Sequence, residues 1–186
     1  MRYRKFIPNI SIVILTLFVM LVGVRSAHAM DRASIDAVQA AIHTLSFLES
    51  LPKDGPIIVG VLYSSDTPDA RAMAESIAQL IGTMRGPNSR TLQPLVLATS
   101  ALAQFPGHLD VLWLAAGVCK HAALIVASIR SHHVVSISDD PQCADTQCCV
   151  IAIRTGQRIE ISLNTALAGA VGARFSLVFT MVVRRK

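Results

Sequence analysis

The chain has 186 residues, of which 52% are hydrophobic and 16% are charged, and its formal net charge is +5. This length suits one ordinary domain with a sizeable core, and it is too short for a two-lobed binding protein that closes on a hinge. The sequence contains no internal repeat and no low-complexity tract.

The first 29 residues have the three parts of an export signal. A basic start at residues 1–5 precedes an apolar run at residues 6–24, and Ala27-His28-Ala29 supplies small residues where signal peptidase cleaves. We therefore predict a signal peptide over residues 1–29 and a mature domain over residues 30–186. Because the apolar run is longer than usual, an uncleaved membrane anchor is the alternative.

The predicted signal peptide carries most of the net positive charge. It contains four of the 17 Lys and Arg residues and no acidic residue, which leaves 13 basic against 12 acidic residues in the mature domain. Recognition of nucleic acid requires a basic patch on the folded domain. We therefore expect no nucleic-acid partner.

Helices and strands are predicted to alternate through most of the mature domain. Apolar residues recur at steps of three and four in residues 31–51 and 70–84, which predicts two amphipathic helices. Thr67 is the predicted N-cap of the second helix, with Pro68 as its first residue. A third helix is predicted over about residues 118–130. Four apolar runs predict strands, at residues 56–62, 91–98, 108–115 and 134–138.

The order of elements changes after Asp140. Residues 148–154 and 158–164 are two strand-like segments separated by only three residues, which predicts an antiparallel hairpin. A short Ala-rich helix at residues 165–171 then leads into the apolar segment 174–183. Because strand–helix alternation indicates a parallel sheet, we predict an α/β fold: a single three-layer Rossmann-like domain with a mixed sheet, made of parallel strands plus a C-terminal antiparallel hairpin. Pro94 places the second strand at an edge or a bulge.

The chain carries no recognisable catalytic motif. It has no G-x-S-x-G elbow, no G-x-G-x-x-G turn and no phosphate-binding loop. His121, His132 and His133 are better explained as structural or solvated residues than as metal ligands. We therefore predict a protein that is not an enzyme, with no catalytic residue and no cofactor.

Polar residues follow the predicted parallel strands, where ligands of α/β proteins usually bind. Ser64, Ser65, Asp66 and Thr67 could hold an anion at a helix N-terminus, but capping and turn formation are the simpler explanation for them. The sequence Asp139-Asp140-Pro141 is more typical of a turn than of a catalytic acid pair.

Three of the four cysteines, Cys143, Cys148 and Cys149, lie within seven positions, and the fourth is Cys119. In an exported protein, nearby cysteines form disulfides, and no histidine completes a familiar zinc-ligand spacing. We therefore predict a disulfide and no metal site. Adjacent cysteines rarely bond each other, so Cys143 pairs with either Cys148 or Cys149, and the pattern alone does not choose between them.

The C-terminal part of the chain resembles the YfiR-like family of exported proteins (YfiR/HmsC). The similarity lies in a strand that ends in Ser-Asp, a loop with cysteines, a strand that ends in Asn, an Ala-rich helix and a final aromatic segment. Here these features are Ser138-Asp139, residues 143–149, residues 158–164, residues 165–171, and Gly172, Phe175, Phe179 and Met181. The chain departs from the family in lacking a tryptophan after the first helix and in having Cys148-Cys149 where many members have Gly-Gly.

The resemblance implies a function and a cysteine pairing. It implies a disulfide between Cys143 and Cys149, with Cys119 and Cys148 free or paired with each other. It also implies a periplasmic, non-enzymatic repressor that binds the periplasmic sensor domain of an inner-membrane diguanylate cyclase and thereby controls cyclic di-GMP and biofilm formation. Members of the family form dimers, so a homodimer is expected. The alternative is a periplasmic small-molecule binding protein.

The sequence also predicts a polar pocket near the C-terminal end of the domain. Glu160 lies between Ile159 and Ile161 in a predicted strand, where alternation turns it away from both. Arg174 follows the Ala-rich helix, which could return it toward Glu160. The two residues are predicted to form either an ion pair or a site for a small zwitterionic or anionic ligand, with Arg174 as a donor fork for carboxylate or phosphate.

Overall fold

The computed structural model describes residues 32–185, so the predicted signal peptide lies outside the described residues. The structure is an α/β domain in which a mixed sheet is packed between helices. Its helices are α1 (Arg32–Thr44), α2 (Ala70–Thr83), α3 (Thr99–Leu102), α4 (Ala122–His132), α5 (Pro141–Thr146), α6 (Thr165–Ala170) and α7 (Leu177–Val182). Its strands are β1 (Ile57–Tyr63), β2 (Leu92–Ala98), β3 (Val111–Leu114), β4 (Val135–Ser138), β5 (Ile151–Arg154), β6 (Glu160–Leu163) and β7 (Arg184–Arg185). None of the helices in this part of the chain has the length and apolar content that a bilayer crossing requires.

The strands form one sheet in the order β2-β1-β3-β4-β5-β6-β7. The first five are parallel, β6 is antiparallel to β5, and β7 is parallel to β6. The predicted three-layer Rossmann-like α/β domain with a C-terminal antiparallel hairpin is therefore confirmed. Pro94 lies in β2, the edge strand, where its missing N–H costs no ladder hydrogen bond on the open side.

The core is formed by apolar side chains of the central strands and the helices that cover them. All four residues of β3 and all four of β4 are buried, as expected for strands covered on both faces. Helix α2 buries Ala74, Ile77 and Ile81, which lie three and four positions apart on one side of the helix.

Two predicted helix boundaries were wrong. The first helix ends at Thr44 instead of Leu51, because the chain tightens into a 3₁₀ turn over Leu45–Phe47 and then becomes extended, with Leu48 bridged to Phe175. Helix α2 begins at Ala70, after Asp69 in a left-handed conformation, so Thr67 is not its N-cap. The N–H of Thr67 instead donates to the carbonyl of Ser64 and closes a turn.

The cysteine-rich segment also differs from the prediction of a loop. Residues Pro141–Thr146 form helix α5, in which Asp140 is the N-cap and Pro141 occupies the first turn. The Asp140 side chain accepts a hydrogen bond from the N–H of Gln142, the usual role of an N-cap carboxylate. The predicted turn at residues 139–141 is thus the start of a short helix.

Candidate functional site

The strand order places a topological switch point at the carboxyl ends of β1 and β3. The chain leaves β1 toward β2 on one side and leaves β3 toward β4 on the other, so the two connections diverge at this point. In open parallel sheets with this order, such a switch point is the usual position for a ligand. The segments that border it are residues 64–67 after β1 and residues 117–121 after β3.

A small network of polar side chains lies at this switch point. The Asp66 carboxylate is 3.4 Å from Lys120 Nζ and 3.3 Å from His121 Nε2. Ser64, which is fully buried, has its hydroxyl oxygen 3.4 Å from the same His121 nitrogen. Because Asp66 and Lys120 are exposed, their ion pair adds little stability and leaves charged groups accessible to a ligand.

The grouping of Ser64, His121 and Asp66 is not a catalytic triad. A triad uses one ring nitrogen for the serine and the other for the carboxylate, so that the histidine accepts a proton while the acid orients the ring. Here both Ser64 and Asp66 approach Nε2. The arrangement can hold a polar ligand by hydrogen bonds and charge, but it does not activate Ser64 as a nucleophile.

Two adjacent aspartates at the end of β4 have different environments. Asp140 is buried, and its Oδ2 accepts a hydrogen bond of 2.8 Å from the N–H of Gly117, which follows β3. Burial raises the pKa of Asp139, its own backbone N–H opposes that rise, and the neighbouring Asp140 charge adds to it. Asp140 therefore links the segment after β3 to the segment after β4. Asp139 is a poorly solvated carboxyl group at the same carboxyl ends of the strands.

The four cysteines lie in two pairs at disulfide distance, and all four are buried. Cys119 pairs with Cys148, with Cα atoms 6.2 Å apart, and Cys143 pairs with Cys149, with Cα atoms 5.7 Å apart. Paired cysteines are consistent with an oxidising, extracytoplasmic compartment. The first pair ties the connection after β3 to the segment that enters β5, and the second ties helix α5 to that same segment.

The cysteine pairing is directly testable. We expect peptide mapping of the oxidised chain without reductant to recover a Cys143–Cys149 crosslink and a Cys119–Cys148 crosslink. A peptide that joins Cys143 to Cys148 would contradict this assignment, and so would free thiols at positions 143 and 149. Mapping of the reduced and alkylated chain is the control, because it should recover all four cysteines unlinked.

The structure does not bring Glu160 and Arg174 together. Strand β6 begins at Glu160, beside the carboxyl end of β5. Because β6 is antiparallel to β5, it carries the chain to the amino ends of the parallel strands. Glu160 is 3.6 Å from Arg158 and lines the cleft of the hairpin loop, whereas the backbone N–H of Arg174 donates to Ser50 Oγ. The predicted pocket is therefore not formed: the two residues lie at opposite ends of the strands, separated by the length of β6.

A second polar group, which sequence reasoning missed, lies at the amino ends of the parallel strands. Asp110 is buried just before β3; its Oδ2 accepts a hydrogen bond of 2.7 Å from the N–H of Ile58, and its Oδ1 is 2.8 Å from His108 Nε2. His108 and His133 line a cleft of about 270 Å³ at the amino ends of these strands. The acidic residue inside the apolar run 108–115 was the signal in the sequence. Its observed role is to tie β1 to β3.

The C-terminal helix α7 presents an apolar face to solvent. Its exposed side chains are Leu177 (80% exposed), Val178 (64%), Met181 (79%) and Val182 (76%). Phe179 is the buried residue of this helix and packs against the rings of Phe47 and Phe175. Sequence reasoning identified residues 174–183 as apolar but did not predict that most of them face outward.

Comparison with known proteins supports the fold. No family model matches the chain, and no curated protein matches it. Its fold is similar to a crystal structure of the ABC domain in complex with L-Trp from Streptococcus pneumonia, with a TM-score of 0.59 and 10% sequence identity. The similarity covers 80% of this chain and 61% of that chain, so the chain spans less than two thirds of its structural neighbour. At this identity, the likeness concerns the fold alone.

Proposed function

We propose that the chain is a non-enzymatic regulator that acts by contact in the periplasm: it binds and represses the periplasmic part of an inner-membrane diguanylate cyclase, and so controls cyclic di-GMP and biofilm formation. The observation that carries the proposal is the exposed apolar face of helix α7, formed by Leu177, Val178, Met181 and Val182. The class of partner follows from the resemblance of residues 134–183 to the YfiR-like family.

The geometry of α7 suits a docking element. Leu177 and Met181 are four positions apart, as are Val178 and Val182, so the four side chains form one stripe on the helix surface. Scattered exposed apolar residues are ordinary, but a contiguous apolar patch on a folded domain marks an interaction surface. Because Phe179 anchors the opposite side of the helix, the stripe is held in place before any partner arrives.

Charges around the stripe indicate the chemistry of the partner. Arg174 precedes helix α7, Arg184 follows it, and both are exposed. Interfaces commonly have an apolar centre and a polar rim, and charged rims contribute mainly to association rate and to specificity. The partner surface is therefore expected to have an apolar groove with acidic residues at its border.

The test is a pair of surface substitutions on helix α7. We expect Leu177→Ser combined with Met181→Ser to weaken capture of the membrane partner by at least tenfold, about 1.4 kcal/mol, because two exposed anchors of the interface are lost. Cellular cyclic di-GMP should rise as repression is relieved. The thermal stability of the domain should change little, since both side chains are already in water in the free protein.

A matched control is Ile159→Ser, which removes an exposed apolar side chain from the hairpin loop (48% exposed). It should capture the partner as the parent does. If the α7 double variant also captures the cyclase with unchanged affinity, helix α7 is not the docking surface. If that variant loses self-association in sedimentation experiments but still binds the cyclase, the stripe is the homodimer interface instead.

A second candidate function is periplasmic small-molecule binding at the switch point. It is favoured by the network of Asp66, Lys120 and His121, and by the structural neighbour that was solved with L-Trp. An amino acid has a carboxylate for Lys120 and an ammonium for Asp66. Calorimetric titration with L-Trp and other amino acids, repeated on Asp66→Ala, separates the two proposals: binding that requires Asp66 supports the second, and absence of binding removes it.

A further inference from the structure

The cysteines form a tighter cluster than two separate disulfides need. The sulfur atoms of Cys119, Cys143 and Cys148 all lie within 4.8 Å of one another, and all three residues are buried. They belong to three different parts of the fold: the 3₁₀ turn after β3, helix α5, and the segment that precedes β5. The sulfur of Cys149, which pairs with Cys143, lies beside this group of three.

We propose that, once both disulfides are reduced, this cluster is a binding site for a thiophilic metal ion, with Zn²⁺ as the expected occupant. The ligands are the thiolates of Cys119, Cys143 and Cys148, and Cys149 is the fourth ligand. This proposal does not depend on the regulatory function above, because it concerns a different part of the molecule and a different redox state.

The spacing of the sulfurs matches what a zinc site requires. A Zn–S bond is about 2.3 Å long, so two sulfurs of a tetrahedral site are separated by about 3.8 Å. Reduction frees the bonded sulfurs of Cys119 and Cys148 to move apart toward this separation, whereas the widest spacing in the group of three, at most 4.8 Å, needs to shorten by about 1 Å. Both changes are within reach of rotations about the side-chain χ angles. Because the fold already holds these side chains close together, metal binding by the folded chain requires little further loss of conformational entropy.

The type of ligand indicates the type of metal. All the candidate ligands are sulfurs, and thiolates select soft or borderline ions such as Zn²⁺ over the hard cations Ca²⁺ and Mg²⁺, which prefer oxygen. The site is also enclosed, because each of the four cysteines is at most 3% exposed. A closed, all-sulfur environment is typical of structural zinc sites.

Loading of the site begins with the reduction of both disulfides. Two molecules of a dithiol reductant each transfer two electrons and two protons to one disulfide; both S–S bonds break, four cysteine thiols form, and each dithiol is oxidised to its own disulfide. Zn²⁺ then binds the four sulfurs, and four thiol protons are released to solvent. The resulting Zn–S bonds replace the covalent links between the turn after β3, helix α5 and the entry to β5.

The test uses residues 30–186 in the oxidised form and after reduction with a dithiol, with the reductant removed anaerobically. Zn²⁺ is titrated against a chromophoric chelator. We expect one equivalent per chain to bind to the reduced protein and none to the oxidised protein. Co²⁺ as a second probe should give a thiolate-to-cobalt charge-transfer band and visible bands typical of tetrahedral coordination.

Single substitutions identify the ligands. Cys119→Ser, Cys143→Ser, Cys148→Ser and Cys149→Ser should each weaken Zn²⁺ binding by the reduced chain at least tenfold. The control is the chain with all four cysteines changed to serine, which should take up no Zn²⁺. Zinc affinity equal to that of this control overturns the proposal, and so does affinity that is unaffected by Cys119→Ser and Cys143→Ser.

Unfolding of the reduced chain does not make the result ambiguous. If reduction unfolds the domain, Zn²⁺ should restore its circular dichroism and raise its Tm, because metal binding is then coupled to folding. A reduced chain that binds Zn²⁺ without regaining native structure would show only scavenging by unfolded thiols, and that outcome also overturns the proposal.

Discussion

Phe179→Ala should lower the free energy of unfolding by about 3 kcal/mol and release helix α7 from the domain. Phe179 is 2% exposed, and its ring packs against Phe47 at 5.4 Å and against Phe175 at 5.1 Å between centroids. Removing a buried aromatic ring forfeits its transfer free energy and leaves a cavity, which together cost about 3–5 kcal/mol. Thermal or denaturant unfolding measures the loss.

The effect should extend beyond stability, because Phe179 is the buried residue of α7. The segment before it is fixed by two backbone hydrogen bonds, from the N–H of Ser176 to Phe47 and from the N–H of Glu49 to Arg174. Helix α7 has only six residues, too few to persist without packing. We therefore expect Phe179→Ala to abolish partner capture, although the substituted residue does not belong to the exposed stripe.

Phe179→Leu is the matched control, since leucine keeps an apolar side chain in the same site. It should cost clearly less than the alanine variant, about 1 kcal/mol, and retain capture. Equal stability of Phe179→Ala and the parent would show that the three-ring cluster does not anchor α7. Lost stability with unchanged capture would instead separate the anchor from the docking surface.

The central strands of the sheet could be predicted from the sequence because they are almost entirely buried on both faces. Continuous apolar runs at residues 56–62 and 134–138 correspond to β1 and β4, and the short spacing between residues 148–154 and 158–164 corresponds to the β5–β6 hairpin. These signals are local: a strand covered on both faces is mostly apolar, although Ser136 and Ser138 of β4 are also buried, and a three-residue connection between strands favours a hairpin.

The exposure of helix α7 and the separation of Glu160 from Arg174 could not be predicted in the same way. The apolar residues of segment 174–183 are equally compatible with burial in the domain and with exposure to a partner, and only the packing of Phe179 decides between these two outcomes. The position of Arg174 depends on the direction of β6, which carries the chain away from Glu160. Both features depend on three-dimensional placement, which local periodicity does not contain.

The switch-point network illustrates a further limit of the sequence. His121, which follows β3, lies more than fifty positions along the chain from Ser64 and Asp66, which follow β1, and the sheet order brings them together. The sequence indicated which strand ends carry polar residues, but it did not give the order β2-β1-β3. Without that order, the switch point between β1 and β3 cannot be located.

Asp140→Ala should cost about 3 kcal/mol of stability. Its two carboxylate oxygens accept hydrogen bonds from separate backbone N–H groups, that of Gly117 at 2.8 Å and that of Gln142 at 2.9 Å. A hydrogen bond to a charged acceptor contributes about 1.5–3 kcal/mol, and the Gly117 donor would be left without its partner in a partly buried site. The variant also removes the N-cap of helix α5, which carries Cys143.

The neighbouring substitution Asp139→Asn should have the opposite effect at neutral pH. Burial raises the pKa of Asp139 in the folded state, so between its ordinary and its raised pKa the folded protein binds more protons than the unfolded protein. Stability therefore falls as pH rises through that window, and at neutral pH the ionised carboxylate destabilises the fold. Asparagine has nearly the same shape and no charge, so the variant should have the higher Tm at pH 7.

The pH dependence separates this explanation from a general effect of removing an acidic residue. Below the ordinary pKa of an aspartate, near 4, Asp139 is protonated in both states, and the advantage of Asp139→Asn should disappear. Asp145→Asn, at an exposed position of helix α5, which follows Asp139, should change the Tm little at either pH. If Asp139→Asn lowers the Tm at pH 7, the Asp139 carboxylate has a stabilising partner, and the two aspartates after β4 act together instead of in opposition.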